Sequence, residues 1–360
     1  MENWLEKKFD ELVKIEAYIK PKKNDGIKLD SNENLVLKSD FIRDIALKVS
    51  KEVDLREYPL QQVEDFYMRL SQYTKISKKY LSIGNGSDQI IDLVLSIFGK
   101  KNRVTTFTPT FTYFVDRCKL YSVTVDKVPL QKEDNSLDKP EFIKSAKKSQ
   151  IIYICSPNNP TGNQIEKGQL LEIINQLDDK LIIIDEAYVE FANYSIAANI
   201  IKKDNVIVLR TLSKAVGLAG ARLGYCISNE KFTNIFKSLI QSPYPINTLS
   251  LCIGTEILKN SDYIKDVVKV IKKERECIYN HLKSTKNRIR VFKSDANFIF
   301  IQIIDIDKYN TILETLEKEK IRVKALGKIE GREGRYIRVT IGTKEMNDRF
   351  LKVLQKVYNV

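Results

Sequence analysis

Histidine and paired cysteine are scarce in this chain, and their scarcity excludes several kinds of catalytic site. His281 is the single histidine among 360 residues, which excludes Ser-His-Asp triads, HExxH zinc sites and multi-histidine metal sites. The five cysteines are scattered, without a CxxC pair or another metal-ligand spacing, and their number is odd. We interpret them as reduced and mostly buried, and we expect no metal site.

Long apolar runs and a leader-like N-terminus are also missing. No stretch of eighteen apolar residues occurs, and the first residues, MENWLEKKFD, are polar and amphipathic. With 43% hydrophobic residues over 360 positions, the chain can bury one large core, or a large core and a smaller one. These features predict a soluble, globular protein of the cytoplasm without a membrane partner.

The chain is basic, with a formal net charge of +13, but it has no basic block of five or six residues. Lysine and glutamate alternate along stretches such as residues 265–276, KDVVKVIKKERE, which is typical of solvated helix faces. We therefore expect no nucleic-acid partner. The positive charge indicates either an attraction for small anionic ligands or no function at all.

Apolar strand-like runs alternate with helical patterns after residue 103. Three almost wholly apolar runs predict buried parallel strands: Ile151–Cys155, Leu181–Ile184 and Val206–Leu209. Polar residues follow each run, among them Asn159 after the first, Asp185 after the second and Lys214 after the third. Because ligands bind beyond the carboxyl ends of the strands in an open parallel sheet, we expect these three side chains in one crevice.

Lys214 is the candidate nucleophilic amine. It lies in residues 209–225, LRTLSKAVGLAGARLGY, where the small side chains that follow it would let another molecule approach the backbone closely. The alternative is a solvated surface charge, because the chain has 60 lysines and arginines and such residues are mostly exposed. The motifs elsewhere in the chain favour the functional interpretation.

A candidate anion site precedes these strands. Residues 82–100, SIGNGSDQIIDLVLSIFGK, combine a glycine turn, two suitable N-cap residues (Ser87 and Asp88) and an apolar helical pattern. Backbone N–H groups and the dipole at such a helix start can bind an anion. The same pattern is also common at ordinary turn–helix junctions, so both interpretations stay open here.

The pattern of elements predicts two domains. A large domain is expected over residues 46–245, with a mostly parallel sheet covered by helices on both faces. A small α+β domain is expected over residues 246–360, and residues 1–45 form an N-terminal segment that joins it. The expected fold class is α/β.

The candidate residues form a set that suits pyridoxal 5′-phosphate. Lys214 supplies an amine, Asp185 a carboxylate that can keep a pyridine nitrogen protonated, and Asn159 an amide. The predicted helix start and Arg222 can hold a phosphate. We therefore expect pyridoxal 5′-phosphate as the cofactor.

With these residues the chain resembles the fold type I, class-II-like aminotransferases that use pyridoxal phosphate, and within them the histidinol-phosphate aminotransferases. The segments that carry the resemblance extend over nearly the whole chain: SNEN (31–34), YP (58–59), GNGSDQ (84–89), PTF (109–111), SPNNPTG (156–162), DEAYVEF (185–191), LRTLSKAVGLAGARLGY (209–225) and RVTIGT (338–343). The resemblance implies transamination between histidinol phosphate and 2-oxoglutarate in histidine biosynthesis. It also implies a homodimer with shared active sites.

The resemblance implies roles around the cofactor ring. Lys214 would be the Schiff-base lysine, and Asp185 would pair with the pyridine nitrogen. Asn159 and Tyr188 would bond the ring hydroxyl. Phe111 would stack on the ring, although the sequence by itself is equally typical of a core phenylalanine.

It likewise implies which residues hold the cofactor phosphate. Backbone groups of Ser87 and Asp88 would bind it together with Ser213 and Arg222. Tyr58 would reach the phosphate in the neighbouring subunit.

Four residues are implied in substrate binding. Arg338 would grip the substrate α-carboxylate with its planar fork, and Tyr18 would close over the substrate. Lys324 stands where the family usually has an arginine, and Arg322 lies two residues earlier on the same strand face, so either could contact a substrate phosphate.

Three classes of function stay open. Histidinol-phosphate transamination is the preferred one. An aromatic aminotransferase, or an amino-acid-phosphate decarboxylase of the threonine-phosphate type, would use the same scaffold. A regulator with an aminotransferase-like domain would need an added DNA-binding segment, and no extension of that size precedes Tyr18.

Overall fold

The computed structural model describes residues 3–13, 15, 26–283 and 288–358. Its helices are α1 (Trp4–Val13), α2 (Ser39–Glu52), α3 (Leu60–Thr74), α4 (Gly86–Val94), α5 (Thr112–Leu120), α6 (Lys139–Ala146), α7 (Lys167–Gln176), α8 (Ala197–Ile200), α9 (Glu230–Ile235), α10 (Thr248–Leu258), α11 (Ser261–Lys283), α12 (Ile306–Lys318) and α13 (Lys344–Tyr358). Its strands are β1 (Ile27–Leu29), β2 (Leu81–Asn85), β3 (Arg103–Thr108), β4 (Thr124–Pro129), β5 (Ile151–Cys155), β6 (Leu181–Asp185), β7 (Val206–Thr211), β8 (Leu223–Ile227), β9 (Ile289–Val291), β10 (Phe298–Ile303), β11 (Ile321–Gly327) and β12 (Arg335–Thr340).

Seven strands form a large sheet in the order β2-β8-β7-β6-β5-β3-β4. The neighbours from β7 to β4 are parallel, whereas β8 runs antiparallel to both β7 and β2. Parallel neighbours need a crossover connection, but residues 212–222 join β7 to β8 directly, and the chain therefore returns in the opposite direction. This short connection contains Lys214 and ends at Arg222. The predicted mostly parallel sheet is confirmed.

Helices cover both faces of the large sheet. Alternate residues of a strand point to opposite faces, and on β6 Ile182 and Ile184 share one apolar cluster with side chains of α3, α6, α7, α8 and α10. Ile183 belongs to a second cluster, with side chains of α4 and α5. Burial on both faces explains the continuous apolar runs, and each large side chain that is fully buried contributes roughly 1.5–3 kcal/mol to stability.

Five strands form a second, smaller sheet in the order β1-β11-β12-β10-β9. β1 pairs in parallel with β11, and the segment before residue 45 thereby contributes an edge strand. Helices α11, α12 and α13 pack on this sheet, with Ile271, Ile312 and Phe350 in one cluster with Phe298 and Ile337. The two sheets and their helices form the frame in which the cavity described below lies.

Helices α10 and α11 connect the two cores. Leu251 and Ile257 of α10 belong to the core of the large sheet, and α10 contacts α2 and α3. In the first turn of α11, Ile264 belongs to that same core, whereas Ile271, two turns later, belongs to the core of the small sheet. The division into domains at residue 245 stays a prediction.

All five cysteines are free; Cys118, Cys155 and Cys226 are buried, Cys252 is half-buried and Cys277 is exposed. This agrees with the interpretation of reduced, mostly buried thiols. Among the helices of the described residues, each is either too short or too polar to cross a membrane.

Candidate active site

A cavity of about 720 Å³ opens where the parallel strands end. Asp185 closes β6, Lys214 follows β7, and Asn159 lies in the loop after β5; all three line the cavity. Arg338 of β12 lines it from the small sheet. The structure therefore brings the amine, the carboxylate and the amide together at the edge where ligands bind in open parallel sheets.

Lys214 lies half-buried in the connection between β7 and β8. Its Nζ donates to the carbonyl oxygen of Ser31 at 3.0 Å and lies 5.8 Å from the centre of the Tyr188 ring. Burial, together with the positive charge of Arg338, lowers the pKa of Lys214 to about 8. A larger share of this amine is therefore neutral, and hence nucleophilic, near neutral pH than for a solvated lysine.

Asp185 is buried at the end of β6. The Tyr153 hydroxyl donates to its Oδ2 at 2.8 Å, and the backbone N–H of Ala187 donates to its Oδ1 at 3.0 Å. Burial raises the pKa of Asp185 to about 6, and these two hydrogen bonds limit the rise because they stabilise the ionised form. The carboxylate can therefore offer a buried negative charge to a cationic group of a ligand.

A hydrogen-bond network joins the two sheets across the cavity. The Tyr188 hydroxyl accepts from Nδ2 of Asn32 at 2.9 Å and from Nδ2 of Asn159 at 3.3 Å. Arg338 donates to Oδ1 of Asn159 at 2.6 Å and to the carbonyl oxygen of Asp30 at 2.5 Å. Burial raises the pKa of Tyr188, so its hydroxyl keeps its proton and can donate it to a ligand.

The start of α4 and the end of the β7–β8 connection lie together and form a candidate anion site, here called the anion cradle. The backbone N–H of Gly86 donates to the carbonyl oxygen of Arg222 at 2.8 Å, and Nη2 of Arg222 lies 3.1 Å from Oδ2 of Asp88. Gly86 has a φ of 76°, and a Cβ there would lie 2.5 Å from Nη2 of Arg222. Ser87 and Asp88 line the cavity beside this guanidinium. A helix N-terminus and an arginine suit a phosphate group.

Ser213 and Phe111 complete the large-sheet side of the cavity. Ser213 is buried, and its hydroxyl accepts from Oγ1 of Thr211 at 2.9 Å. Phe111 is half-buried immediately before α5, with its ring centre 5.8 Å from that of Tyr113. The cavity thus combines an aromatic side chain and a hydroxyl with the charged groups.

Arg322 and Lys324 differ in their relation to the cavity. Lys324 is exposed, lines the cavity and stands opposite Arg338 in the ladder between β11 and β12. Nε of Arg322 lies 3.2 Å from Oδ2 of Asp30, and it is Asp30 that lines the cavity. The substrate roles of both basic residues stay predictions.

Tyr58, a predicted site residue that the structure describes, does not line the cavity. Tyr58 is 74% exposed, and its ring stacks on Tyr244 with centres 4.6 Å apart. Contact with a neighbouring subunit requires such exposure, and this contact stays a prediction. Tyr18 lies outside the described residues, so its closure over the substrate stays a prediction as well.

The sequence interpretation missed two residues that hold the site. Asn32 bonds the Tyr188 hydroxyl, and Tyr153 bonds Asp185. Tyr153 is the one hydroxyl in the apolar run IIYIC, and a buried hydroxyl needs a partner, which is a signal that could have identified it. Asn32 belongs to the matched segment SNEN, but the pairing of residues 156 positions apart requires the fold.

Comparison with known proteins agrees with this geometry. The chain matches the family "Aminotransferase class I and II" over residues 24–354, and it belongs to that family. It is 33% identical over 349 residues to a histidinol-phosphate aminotransferase of Pyrococcus furiosus, with 97% of each chain covered. The amino-group transfer that the sequence predicts is thereby confirmed as the class of reaction.

Solved structures give the same result. The histidinol-phosphate aminotransferase of Clostridium acetobutylicum superposes with a TM-score of 0.83 at 26% identity, covering 92% of this chain and 99% of that one. The Sinorhizobium meliloti enzyme of the same name, in complex with pyridoxal-5′-phosphate, has a TM-score of 0.85 at 20% identity and covers 97% and 96% of the chains. The predicted resemblance to histidinol-phosphate aminotransferases and the predicted fold are confirmed.

Proposed function

We propose that this chain uses pyridoxal 5′-phosphate to transfer the amino group of histidinol phosphate to 2-oxoglutarate. The observation that carries the proposal is the convergence of Lys214, Asp185 and the anion cradle around Gly86 on one cavity. The names of the relatives support the choice of substrate, and the pyridoxal-5′-phosphate bound in the Sinorhizobium meliloti structure supports the choice of cofactor.

The donor set fits this cofactor. The cradle at Ser87, Asp88 and Arg222, with Ser213, would hold the phosphate, and Asp185 would face the ring nitrogen. Asn159 and Tyr188 would bond the ring hydroxyl, Phe111 would cover the ring, and Lys214 would bind the aldehyde carbon. When bound, pyridoxal phosphate supplies a conjugated ring that accepts electrons from the substrate carbon.

Lys214 performs the proton transfers. Its Nζ, when neutral, would take the proton from the amine-bearing carbon of the donor and would then deliver it to the cofactor and not return it to the donor, which is the net change that transamination requires. In the protein without cofactor, burial lowers the pKa of Lys214 to about 8, so this amine loses its proton more readily near neutral pH than a solvated lysine does. The buried carboxylate of Asp185 stabilises positive charge at the other end of the cavity.

The cationic lining suits both substrates. The fork of Arg338 would bind the α-carboxylate of 2-oxoglutarate or glutamate in two parallel hydrogen bonds. Histidinol phosphate has a phosphate in place of that carboxylate, and the exposed ammonium of Lys324 opposite Arg338 supplies a second positive charge for it. Arg322, whose Nε lies beside Asp30, adds to the positive electrostatic potential behind Lys324.

A homodimer with shared active sites is part of the proposal. Large apolar side chains are exposed around α2 and the start of α3, namely Leu47 (55%), Leu55 (63%), Tyr58 (74%) and Leu60 (67%). Helix α1 is amphipathic and has no buried residue; Trp4, Phe9 and Val13 are 76%, 53% and 83% exposed. A second copy of the chain would cover such surfaces. The cytoplasmic location stays a prediction.

The proposal is tested by comparing amino donors. Purified protein with pyridoxal phosphate is given histidinol phosphate, phenylalanine or threonine phosphate at equal concentration with 2-oxoglutarate, and glutamate, keto product and carbon dioxide are measured. We expect glutamate with histidinol phosphate at the highest rate, and no transfer by Lys214→Ala. Lys237→Ala, which changes a lysine outside the cavity, is the matched control and is expected to keep activity.

Other outcomes separate the alternatives. Equal rates with phenylalanine would favour an aromatic aminotransferase, and carbon dioxide release from threonine phosphate would favour a decarboxylase. Borohydride reduction followed by peptide mapping identifies the lysine that holds the cofactor. Attachment at a lysine other than Lys214 would overturn the assignment of the amine.

A further inference from the structure

The hairpin between β11 and β12 forms part of the cavity wall. Two of its residues, Lys328 and Ile329, line the cavity next to Lys324. The hairpin turns back through a hydrogen bond from the backbone N–H of Arg332 to the carbonyl oxygen of Ile329 at 3.0 Å. Within the small sheet it is held by Nε2 of Gln302, which donates to the carbonyl oxygen of Glu333 at 2.9 Å.

Arg332 reaches from this hairpin to the neighbouring part of the large-sheet half of the chain. It is 7% exposed, and its guanidinium donates to Oδ1 of Asn135 at 2.6 Å and to the carbonyl oxygens of Leu130 and Gln131 at 3.2 and 3.3 Å. Those three acceptors belong to the loop that follows β4 of the large sheet. One side chain therefore ties the hairpin of the small sheet to the large sheet.

Burial of the Arg332 guanidinium costs free energy unless its hydrogen bonds are well made, so the contact requires these particular partners. A buried guanidinium loses its hydration, and the three neutral oxygens must replace it through well-aligned hydrogen bonds. Lysine has no planar fork and could not reach the side-chain and backbone acceptors of the loop together. Asn135 is fully buried and has a φ of 62°, a conformation that asparagine tolerates better than most residues.

Beyond Asn135 a chain of buried and half-buried polar groups leads back to the cavity. Nδ2 of Asn163 donates to the carbonyl oxygen of Asn135 at 2.9 Å, and Oγ1 of Thr161 donates to Oδ1 of Asn163 at 2.6 Å. Asn158 then bonds Thr161 at 2.6 Å and accepts from Thr110 at 3.1 Å. Thr110 lines the cavity, and Asn158 precedes Asn159. The loop that receives Arg332 is thus fixed relative to the cavity lining.

We propose that Arg332 is a positioning residue for the amino donor: it pins the hairpin to the loop after β4 and so holds Lys328 and Ile329 against the cavity. The proposal deepens the proposed function and rests on it. The ammonium of Lys328 attracts the phosphate of the donor, and Ile329 limits the space around it. Release of the hairpin weakens donor binding, whereas Lys214 and Asp185, held by other contacts, continue the chemistry.

The test compares Arg332→Ala with Arg335→Ala in the full-length protein with its cofactor. Arg335 lies at the end of the same hairpin, but it donates to the carbonyl oxygen of the adjacent Gly334, so it makes a matched control. For Arg332→Ala we expect KM for histidinol phosphate to rise about tenfold, as for loss of hydrogen bonds to a charged group, with kcat within about threefold. Arg335→Ala is expected to keep both constants.

Two further measurements distinguish positioning from a general loss of structure. Hydrogen exchange of the amides in residues 327–335 should become faster in Arg332→Ala, with no change in β5–β7. Arg332→Lys should give an intermediate KM, because one hydrogen bond can be kept, and it replaces Arg332→Ala if that variant does not fold. An unchanged KM in both variants, or a loss of kcat at unchanged KM, overturns the proposal.

Failure of the proposed function has a different signature. If the unmodified protein does not accept histidinol phosphate, the substrate assignment fails. The role of Arg332 is then decided by hydrogen exchange and by KM for the donor that the protein does accept. Unchanged exchange in residues 327–335 refutes the pinning role whichever donor is used.

Discussion

At the scale of single residues, the cavity shifts the pKa values of two groups toward neutral pH, so each charged form is less favoured than in a solvated side chain. Burial and the charge of Arg338 lower the pKa of Lys214, and burial raises that of Asp185. Both shifts arise from the same low-dielectric surroundings, which disfavour any charge. The protein without its cofactor therefore holds an unfavourable carboxylate in the place where a cationic ligand group would bind.

The raised pKa of Asp185 predicts a pH-dependent gain in stability for Asp185→Asn. Because the folded-state pKa of about 6 lies above the unfolded value of 3.8, the contribution of Asp185 to stability is present below pH 3.8 and is lost as pH rises through 6. We expect cofactor-free Asp185→Asn to be more stable than the unmodified protein at pH 7, by roughly 2–3 kcal/mol. Urea unfolding at pH 7 measures the difference.

The control is the same measurement at about pH 4, where Asp185 is mostly protonated when folded and the gain should nearly vanish. The amide keeps the local hydrogen bonds, because Oδ1 can still accept from Ala187 and the new amide can donate to Tyr153. Equal stability at pH 7, or a loss of it, would contradict the raised pKa.

At the scale of elements, the junction of β2, α4 and the β7–β8 connection makes the anion cradle. Gly86 is required there for two reasons, its positive φ and the closeness of Arg222. We expect Gly86→Ala to lower the affinity for pyridoxal phosphate about tenfold or more, because the methyl group displaces the guanidinium. Absorbance titration of the cofactor-free protein gives the Kd.

Gly220→Ala is the control for this experiment. Gly220 lies in the connection between β7 and β8, and a Cβ there would meet no atom within 4 Å. The Gly220→Ala variant should bind the cofactor with the Kd of the unmodified protein. Equal Kd values for the two alanine variants would exclude the cradle as the phosphate site.

The strands and helices also show which elements can be identified from sequence patterns. The three apolar runs identify β5, β6 and β7, because a strand buried on both faces must be apolar throughout. They do not identify β8, since Leu223–Ile227 follows the small residues of the Lys214 stretch without a helical crossover. The sequence interpretation also passed over helix α3, although Val63, Phe66, Tyr67 and Leu70 have the i, i+3, i+4, i+7 spacing of an amphipathic helix.

The residues of the site also divide into those that sequence patterns can place and those that they cannot. Lys214, Asp185 and Asn159 follow predicted strands, so the sheet rule alone brings them to one edge. The contact of Arg332 with Asn135 depends on how the small sheet packs on the large one. The contact of Arg322 with Asp30 depends on the pairing of β11 with β1, two strands that lie far apart in sequence. No local pattern encodes such pairs.

At the scale of the whole molecule, the exposed apolar surface around α2 and α3 predicts an association that one substitution can weaken. Leu60 is 67% exposed at the first position of α3, where aspartate favours the helix dipole, so Leu60→Asp should fold. We expect it to weaken the dimer at least about tenfold and to lower activity at low protein concentration. Sedimentation equilibrium measures the association.

Val270→Asp is the matched control, because Val270 is 48% exposed on α11 and lies outside the surface around α2 and α3. The Val270→Asp variant should keep the oligomer mass in sedimentation equilibrium and the activity of the unmodified protein. If Leu60→Asp sediments as the unmodified protein does, the proposed subunit contact is wrong.

The antiparallel strand β8 has a consequence for biosynthesis of the active protein. It is inserted between β2 and β7, and the cradle that it completes joins Asp88 to Arg222, which are 134 residues apart in sequence. A nascent chain that has emerged only as far as β7 contains the start of α4 but not the guanidinium of Arg222. Its proposed phosphate site for the cofactor is therefore incomplete. With the phosphate site proposed above, binding of the cofactor during translation would wait until β8 has emerged, and the cofactor-bound form would report that the large sheet is complete.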